Sequence, residues 1–251
     1  MSETPLISII TAAHNASSSI GETIDSVLNQ TYQNWEMIIV NDCSTDATAE
    51  IVNSYLQKDK RIRILTNETN LGVAETRNVG LKAAKGAYVA FLDSDDIWHK
   101  DKLLRHISFM EKEGIAITYS YYWTFSKSVD SPIKIVKCPK KATYKSILKS
   151  NYMGCLTVVI NKEKVGPISM PHLDHGEDML TWYDLMKRGF VSHCLPEPLA
   201  YYRIGQSSLS SNKKTAAKKQ WNIYRVVLGF SFFKSAFYFI SYAINGFIKH
   251  H

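Results

Sequence analysis

The sequence predicts an α/β fold, a Rossmann-like, mostly parallel sheet flanked by helices. Three observations predict it. Strand-like and helix-like segments alternate through the first hundred residues, as βαβ units do. Residues 88–92, Tyr-Val-Ala-Phe-Leu, form an apolar run suited to a central strand buried on both faces. That run delivers Asp93, Asp95 and Asp96 to the sheet edge where open α/β proteins bind ligands. Carboxylates packed so closely repel one another, which points to a cation at that place.

The elements follow in order. Residues 6–11 read as a first strand. Ser17 to Ser19 offer helix caps ahead of Ile20, Ile24, Val27 and Leu28 on one helical face. Residues 35–40 are a second strand, ending in the polar turn Asn41-Asp42-Cys43-Ser44-Thr45-Asp46, which opens a helix carrying Ile51, Val52, Tyr55 and Leu56. Residues 61–65 form a short third strand. Asn70-Leu71-Gly72 starts a helix that runs through Lys85 and is closed by Gly86. After the acidic turn, Leu103, Leu104, Ile107 and Met110 mark another helix, and residues 115–122 a strand. Residues 126–142 hold Pro132 and Pro139 and read as an irregular loop or β-excursion. A strand at 156–160, a helix opening at Gly176-Glu177-Asp178, and short strands at 190–195 and 199–202 follow. Residues 207–219 read as a Ser/Lys-rich linker and 220–249 as an aromatic helical tail.

At 251 residues, the chain accommodates one large domain, about 1–211, and an appendage, 212–251. The domain divides into two halves, about 1–98 and about 99–211. With 45% hydrophobic residues it is not disordered by composition. Cys43, Cys138, Cys155 and Cys194 lack metal-ligand spacing and are expected to be reduced thiols of a cytoplasmic protein. The first residues show no basic region before an apolar run, so no secretory signal is expected. The net charge of +7 is concentrated at one end. From residue 198 onward there are eight basic residues and no acidic ones, leaving 22 basic against 23 acidic before it. A basic, aromatic end fits an anionic membrane surface better than nucleic acid.

Three acidic turns could carry chemistry: Asp42, the Asp93 cluster, and Glu177 with Asp178. Asp42 could bind a base or ribose, or simply close an Asx turn. The cluster could hold Mg2+ or Mn2+ on phosphates, or form a solvated turn that caps the next helix. Asp178 could be a general base, or an acid favoured by its helix dipole. His172 and His175 lie beside this last turn and could touch a substrate. No Gly-x-x-x-x-Gly-Lys loop and no Gly-x-Gly-x-x-Gly follows the first strand, which argues against a P-loop nucleotidase or an ordinary dinucleotide dehydrogenase.

Six pieces occur together in the order Thr11-Ala12-Ala13-His14-Asn15, Ser26-Val27-Leu28-Asn29-Gln30-Thr31-Tyr32, Val40-Asn41-Asp42, Asn70-Leu71-Gly72 through Arg77-Asn78, Phe91-Leu92-Asp93-Ser94-Asp95-Asp96 and Gly176-Glu177-Asp178. In this ordered set the chain resembles glycosyltransferase family 2 enzymes with the GT-A fold, among them those that build bacterial O-antigen and capsule. The resemblance implies an inverting transfer of a hexosyl or N-acetylhexosaminyl group from a nucleotide sugar, UDP-linked, to a hydroxyl of a saccharide acceptor. It implies an acceptor carried on a polyprenyl diphosphate at the inner face of the cytoplasmic membrane. By the same resemblance Thr11, Ala13, His14, Asn15, Asp42, Arg77, Asp93 and Ser94 would bind the nucleotide. Asp95, with Asp93 as a second ligand, would hold Mn2+ or Mg2+. Asp178, with Glu177 beside it, would be the base. Trp98, His172, His175 and Arg203 are candidates for the acceptor or a donor-closing loop, together with the serines at 207, 208, 210 and 211. The chain departs from the family where Ala12-Ala13-His14-Asn15 replaces Pro-x-Tyr-Asn and Asn41-Asp42 replaces Asp-Asp. It also has Gly205 or Gln206 where many members place a histidine near the metal. A polyprenyl-phosphate glycosyltransferase and an inactive nucleotide-binding scaffold are the alternatives. In the tail the longest uncharged run, residues 235–248, is 14 long, short of the ~20 a bilayer span needs. It predicts an interfacial helix, with packing on the domain or a dimer contact as the other outcomes.

Overall fold

The computed structural model describes residues 4–173, 175–205 and 213–250. Strand β1 (Ile7–Ala13) leads through helix α1 (Ile20–Leu28) to β2 (Trp35–Asn41), then through α2 (Thr48–Leu56) to β3 (Ile62–Thr66). Helix α3 (Val73–Ala83) returns the chain to β4 (Tyr88–Phe91). These four strands are parallel in the order β3-β2-β1-β4. The two-residue β5 (Ile97–Trp98), α4 (Lys102–Glu113), β6 (Ile117–Phe125), β7 (Lys134–Val136), β8 (Lys141–Ala142) and α5 (Tyr144–Ile147) follow. Then come β9 (Val159–Asn161), α6 (Lys162–Val165), α7 (Glu177–Lys187), β10 (Ser192–Arg203), α8 (Lys213–Asn222) and α9 (Phe232–His250). β9 is antiparallel to both β4 and β6, so β6 and its parallel neighbour β10 run in the same direction as β1–β4. The full order is β3-β2-β1-β4-β9-β6-β10-β5, with β7 on β6 and β8 on β10.

Alternation along the central strands builds two cores, one on each face. Ile10, Ile38, Val40, Val89 and Phe91 face α3 and α7, where they meet Leu81, Trp182 and Leu185. Ile7, Ile9, Met37, Ile39 and Ala90 face the other way, against Ile20, Ile24, Val52, Leu103 and Ile107 of α1, α2 and α4. Both faces of β1 and β2 are covered, which is why these segments read as near-continuous apolar runs.

Some elements differ from the expectation. The third helix ends at Ala83, and Gly86 is not its cap. A Cβ at Gly86 would stand 2.7 Å from the Leu6 carbonyl oxygen and the Ser8 nitrogen, so this glycine lets the chain enter β4 against β1. The segments at 190–195 and 199–202 are one strand, β10, pairing with β6 through two register shifts around Pro198. Residues 126–142 contain the antiparallel β7, and the strand expected at 156–160 is a 3-10 turn (Cys155–Thr157) followed by β9. Lys213–Asn222, most of it read as linker, is helical, and the tail bends at a π-helical turn (Ile223–Val227) and at Gly229 before α9.

Candidate active site

The C-terminal ends of β1, β2 and β4 and the N-terminus of α7 converge on one region. At the end of β2, Asp42 is 3% exposed and carries three short hydrogen bonds. Its Oδ1 accepts from Asn67 Nδ2 (2.8 Å) and Leu71 N (2.9 Å), and its Oδ2 from Gly72 N (2.9 Å). Burial pushes this carboxyl up, but the bonds from Asn67, Leu71, Thr76 and Gly72 outweigh it and hold the pKa below the usual range. Asp42 therefore fastens the loop that opens α3, and its second oxygen, with one donor, keeps acceptor capacity for a ligand.

The turn after β1 lies against this loop. Asn15 and Cys43 both have positive φ, 50° and 58°, which side-chain-bearing residues rarely adopt. The turn is held by Asn15 N to Ser44 Oγ (3.0 Å), Thr45 N to Asn15 Oδ1 (2.8 Å) and the contact of His14 Nδ1 with the Asp42 carbonyl (2.7 Å). Two such residues at neighbouring strand ends mark a backbone shaped for a ligand. Of the stretch expected at the nucleotide, the side chains of Thr11 and Ala13 point inward, 0% and 1% exposed. Their contribution is restricted to the backbone, and His14 and Asn15 present the accessible side chains.

The acidic turn after β4 is pinned from several sides. Ser19 Oγ donates to the Ser94 carbonyl (2.9 Å) and Thr23 Oγ1 to the Asp96 carbonyl (2.9 Å). From β10, Arg203 N donates to Asp96 Oδ1 (2.9 Å) and Arg203 Nε to the Asp95 carbonyl (2.8 Å), while its Nη2 pairs with Glu22. Asp96 does not cap the next helix: it is fully buried, and its Oδ2 has no partner among the described residues. Burial, then Asp93 and Asp95, push the Asp96 carboxyl well up. Asp95 presents its side chain to solvent, yet desolvation and the Asp93 charge raise its pKa as well. This surplus of negative charge fits a hard divalent cation. No group of three or more metal-capable side chains converges among the described residues, so the protein would supply Asp95 and Asp93, and phosphate and water the rest.

Arg77 departs most from expectation. Its side chain is 5% exposed and reaches no open surface for a phosphate. It bridges two carboxylates instead, with Nη2 to Asp93 Oδ1 at 2.5 Å and Nη1 to Glu177 Oε1 at 2.9 Å. Burial opposes the guanidinium charge, but Asp93 and Glu177 more than offset it. Arg77 thus ties the acidic turn to the start of α7 and neutralises both. Glu177 has a side chain 13% exposed and is held by Arg77.

Asp178 is free of that clamp. It is half-buried; its Oδ2 accepts from Asn151 Nδ2 (3.1 Å) and its Oδ1 from Met179 N (2.6 Å). Burial, then the Glu177 charge, push its carboxyl up to about 6, while Arg77 and the two bonds pull the other way. A carboxylate ionised at neutral pH with a pKa near 6 is suited to take a proton. Its helix opens at Gly176, whose φ is +79° and whose missing Cβ leaves room for Ile223 Cδ1 at 2.7 Å.

Asn151, Cys155 and Asn67 complete the region without having been anticipated. Cys155 is buried beside Arg77, Asp93 and Asp178, and burial keeps it a thiol. Nothing in the sequence marks these residues, since each is a lone polar or sulfur side chain in a loop. Trp98, a candidate for the acceptor or donor loop, is 3% exposed; its Nε1 donates to the Leu156 carbonyl (2.8 Å), and an edge of it lines an open cleft of about 620 Å3 beside α1. His172 is exposed and faces Glu75 at 3.8 Å. His175 is half-buried, with its pKa lowered by burial and by Lys219 against the pull of Glu177. The serines at 207, 208, 210 and 211, and Gln206, lie outside the described residues.

The family model for glycosyl transferase family 2 matches residues 8–164, which includes Asp42, Arg77 and the Asp93 turn. The chain belongs to glycosyltransferase family 2. It is 43% identical over 241 residues to the putative teichuronic acid biosynthesis glycosyltransferase TuaG of Bacillus subtilis (strain 168), covering 96% of each chain. It is 39% identical over 251 residues to the Escherichia coli UDP-Glc:alpha-D-GlcNAc-diphosphoundecaprenol beta-1,3-glucosyltransferase WfgD, covering 98% of this chain and 95% of that one. Among solved structures, S. aureus TarS residues 1–349 in complex with UDP-GlcNAc superimposes with a TM-score of 0.72 at 23% identity. That match spans 88% of this chain and 65% of the TarS chain, and it establishes the GT-A fold. The protein is a glycosyltransferase, and the region around Asp42, Asp93 and Asp178 is its candidate active site.

Proposed function

We propose that the protein transfers a hexosyl or N-acetylhexosaminyl group, with inversion, from a UDP-sugar to a hydroxyl of a lipid-diphosphate-linked saccharide in bacterial surface-polysaccharide assembly. The observation that carries this is the pairing of two chemically different carboxylate sites across Arg77. Asp93 and Asp95 on one side carry negative charge that a cation on a diphosphate would offset, and Asp178 on the other is an unclamped carboxylate with its pKa near 6. The similarity to WfgD, whose name gives a UDP-glucose donor, a diphosphoundecaprenol-linked acceptor and a β-linked product, supports the substrate class.

In this reading the nucleotide lies along the turn of His14 and Asn15, with Asp42 at the base edge. Asp95, assisted by Asp93, would hold Mn2+ or Mg2+, and the cation would supply positive charge against that of the departing diphosphate. The acceptor oxygen attacks the anomeric carbon from the face opposite the diphosphate. As the new C–O bond forms, the bond to the phosphate oxygen breaks, the acceptor proton passes to Asp178, and UDP leaves. One displacement inverts the centre, so an α-linked donor gives a β-glycoside. Arg77 and Glu177 fix the distance between the two sites, and Asn151 orients the base. The enzyme works peripherally, at the inner face of the cytoplasmic membrane. The test is a donor screen with Mn2+ or Mg2+ present, read as released nucleoside diphosphate. Release from a UDP-hexose or UDP-N-acetylhexosamine supports the reading, and release only from donors on other nucleotides defeats it.

A further inference from the structure

The α8–α9 tail has two faces of opposite character. The inner face is packed on the domain. Tyr224 and Ser235 are fully buried, Ile223 presses on Gly176, and Tyr224 Oη donates to the Leu148 carbonyl at 2.6 Å. Asn245 Nδ2 donates to the Lys149 carbonyl at 3.2 Å, and Trp221 of α8 meets Phe232 and Phe239 edge-on. Along α9 the inward positions are Ser235, Tyr238, Tyr242 and Asn245, a helical spacing.

The outward positions repeat the same period on the opposite side. Phe233, Phe237, Ile240 and Ile244 are 84%, 55%, 58% and 55% exposed, and Val226 at 70% and Phe232 at 60% extend the patch. A contiguous apolar stripe left in water marks a surface built to be covered. Its surroundings are cationic: residues 213–250 hold seven lysines and arginines and no acid. Of these, Lys218, Arg225 and Lys234 are exposed, and Lys149 Nζ from the domain lies 5.5 Å from the Phe237 ring centre. A second copy of the chain would bring like charges face to face in a self-complementary contact, whereas an anionic lipid surface complements them. Among the described residues no helix is long and apolar enough to cross a membrane, so the stripe would lie in the headgroup plane.

We propose that the outer face of α9 docks on an anionic lipid bilayer, with Phe233, Phe237, Ile240 and Ile244 inserted and Arg225, Lys234 and Lys149 on the headgroups. The inner face of the same tail packs on the start of α7, so docking sets Asp178 beside the bilayer; this last point rests on the lipid-linked acceptor proposed above.

The test is co-sedimentation of the full chain with vesicles at low salt. Vesicles of phosphatidylglycerol and phosphatidylcholine bind the protein, phosphatidylcholine alone binds it more weakly, and added salt reduces binding. F233E/F237E weakens binding at least about tenfold, because two inserted rings are lost. R225E/K234E removes the preference for phosphatidylglycerol. Because Phe233 and Phe237 face solvent, the double variant keeps the far-UV spectrum and melting temperature of the parent. No binding to either vesicle, or unchanged binding of F233E/F237E, overturns the proposal. So does a parent dimer that F233E/F237E converts to monomer without loss of vesicle binding. D178N binds vesicles like the parent, so docking stands or falls separately from the transfer reading.

Discussion

Replacing Asp178 by asparagine should stabilise the protein while it stops turnover. In the folded state the Asp178 carboxyl is raised from 3.8 to about 6 by burial and by Glu177. Roughly two units at ~1.4 kcal/mol each give about 3 kcal/mol of penalty for keeping it ionised. Asparagine removes the charge and keeps an oxygen for Met179 N, but disturbs the bond from Asn151, worth about 1 kcal/mol. A net gain near 2 kcal/mol follows. The sign depends on pH. Below 3.8 both states of the parent are protonated and the penalty is absent. As pH rises toward 6 the unfolded chain loses its proton first, and the parent loses stability; above 6 the penalty is constant. Urea unfolding at pH 7.5 and pH 4 reads both ends, and transfer assays at pH 7.5 should show a loss of about 10²- to 10⁴-fold. A D178N protein that is less stable than the parent at pH 7.5, or that gains the same amount at both pH values, would refute this account of the base.

Further outcomes follow from the same geometry. The kcat/KM profile of the parent should have an acid limb near pH 6, so that activity at pH 5 is about a tenth of that at pH 7; a limb near 4 contradicts the raised pKa. R77M should leave Asp93 and Glu177 uncompensated, costing about 3–5 kcal/mol in chemical unfolding, and should move the acid limb to higher pH because Arg77 favours ionised Asp178. D95N should raise the half-saturating concentration of Mn2+ or Mg2+ far more than it changes the melting temperature. R203A should do so to a lesser degree by freeing the Asp95 carbonyl; metal titrations of activity distinguish these from an inert pair. G176A should cost about 1–3 kcal/mol, from its positive φ and its contact with Ile223, and I223A should recover only the contact part.

The parallel half of the fold was legible because its strands are short apolar runs between helices of regular spacing, and the acidic turn because it ends the most apolar of them. The Gly176-Glu177-Asp178 turn was legible as a helix start, and α7 opens there. What was not legible depended on distant partners. Arg77 reads, by the family resemblance, as a nucleotide contact, and only the fold brings it to Asp93 and to Glu177, a hundred residues away. Asp96 reads as a cap, but its partner is the backbone of Arg203 on β10. Trp98 reads as an acceptor or donor-loop candidate, and β5 pairs with β10 so that its ring is buried. Gly86 reads as a helix stop because close backbone contact between β1 and β4 leaves no local signal. The tail reads as an interfacial helix, a packed one or a dimer contact; the packing is observed on its inner face, through Tyr224 and Tyr238, and its outer face is exposed.

The central claim is a single displacement with Asp178 taking the acceptor proton, and the anomeric configuration of the product tests it most directly. The parent would be incubated with an α-linked UDP-hexose, a divalent cation and a short-chain lipid-diphosphate N-acetylglucosamine, and the anomeric coupling of the new linkage read by proton NMR. The account predicts a β-linkage formed by the parent and not by D178N. An α-linkage, or a β-linkage formed at the parent rate by D178N, would contradict it.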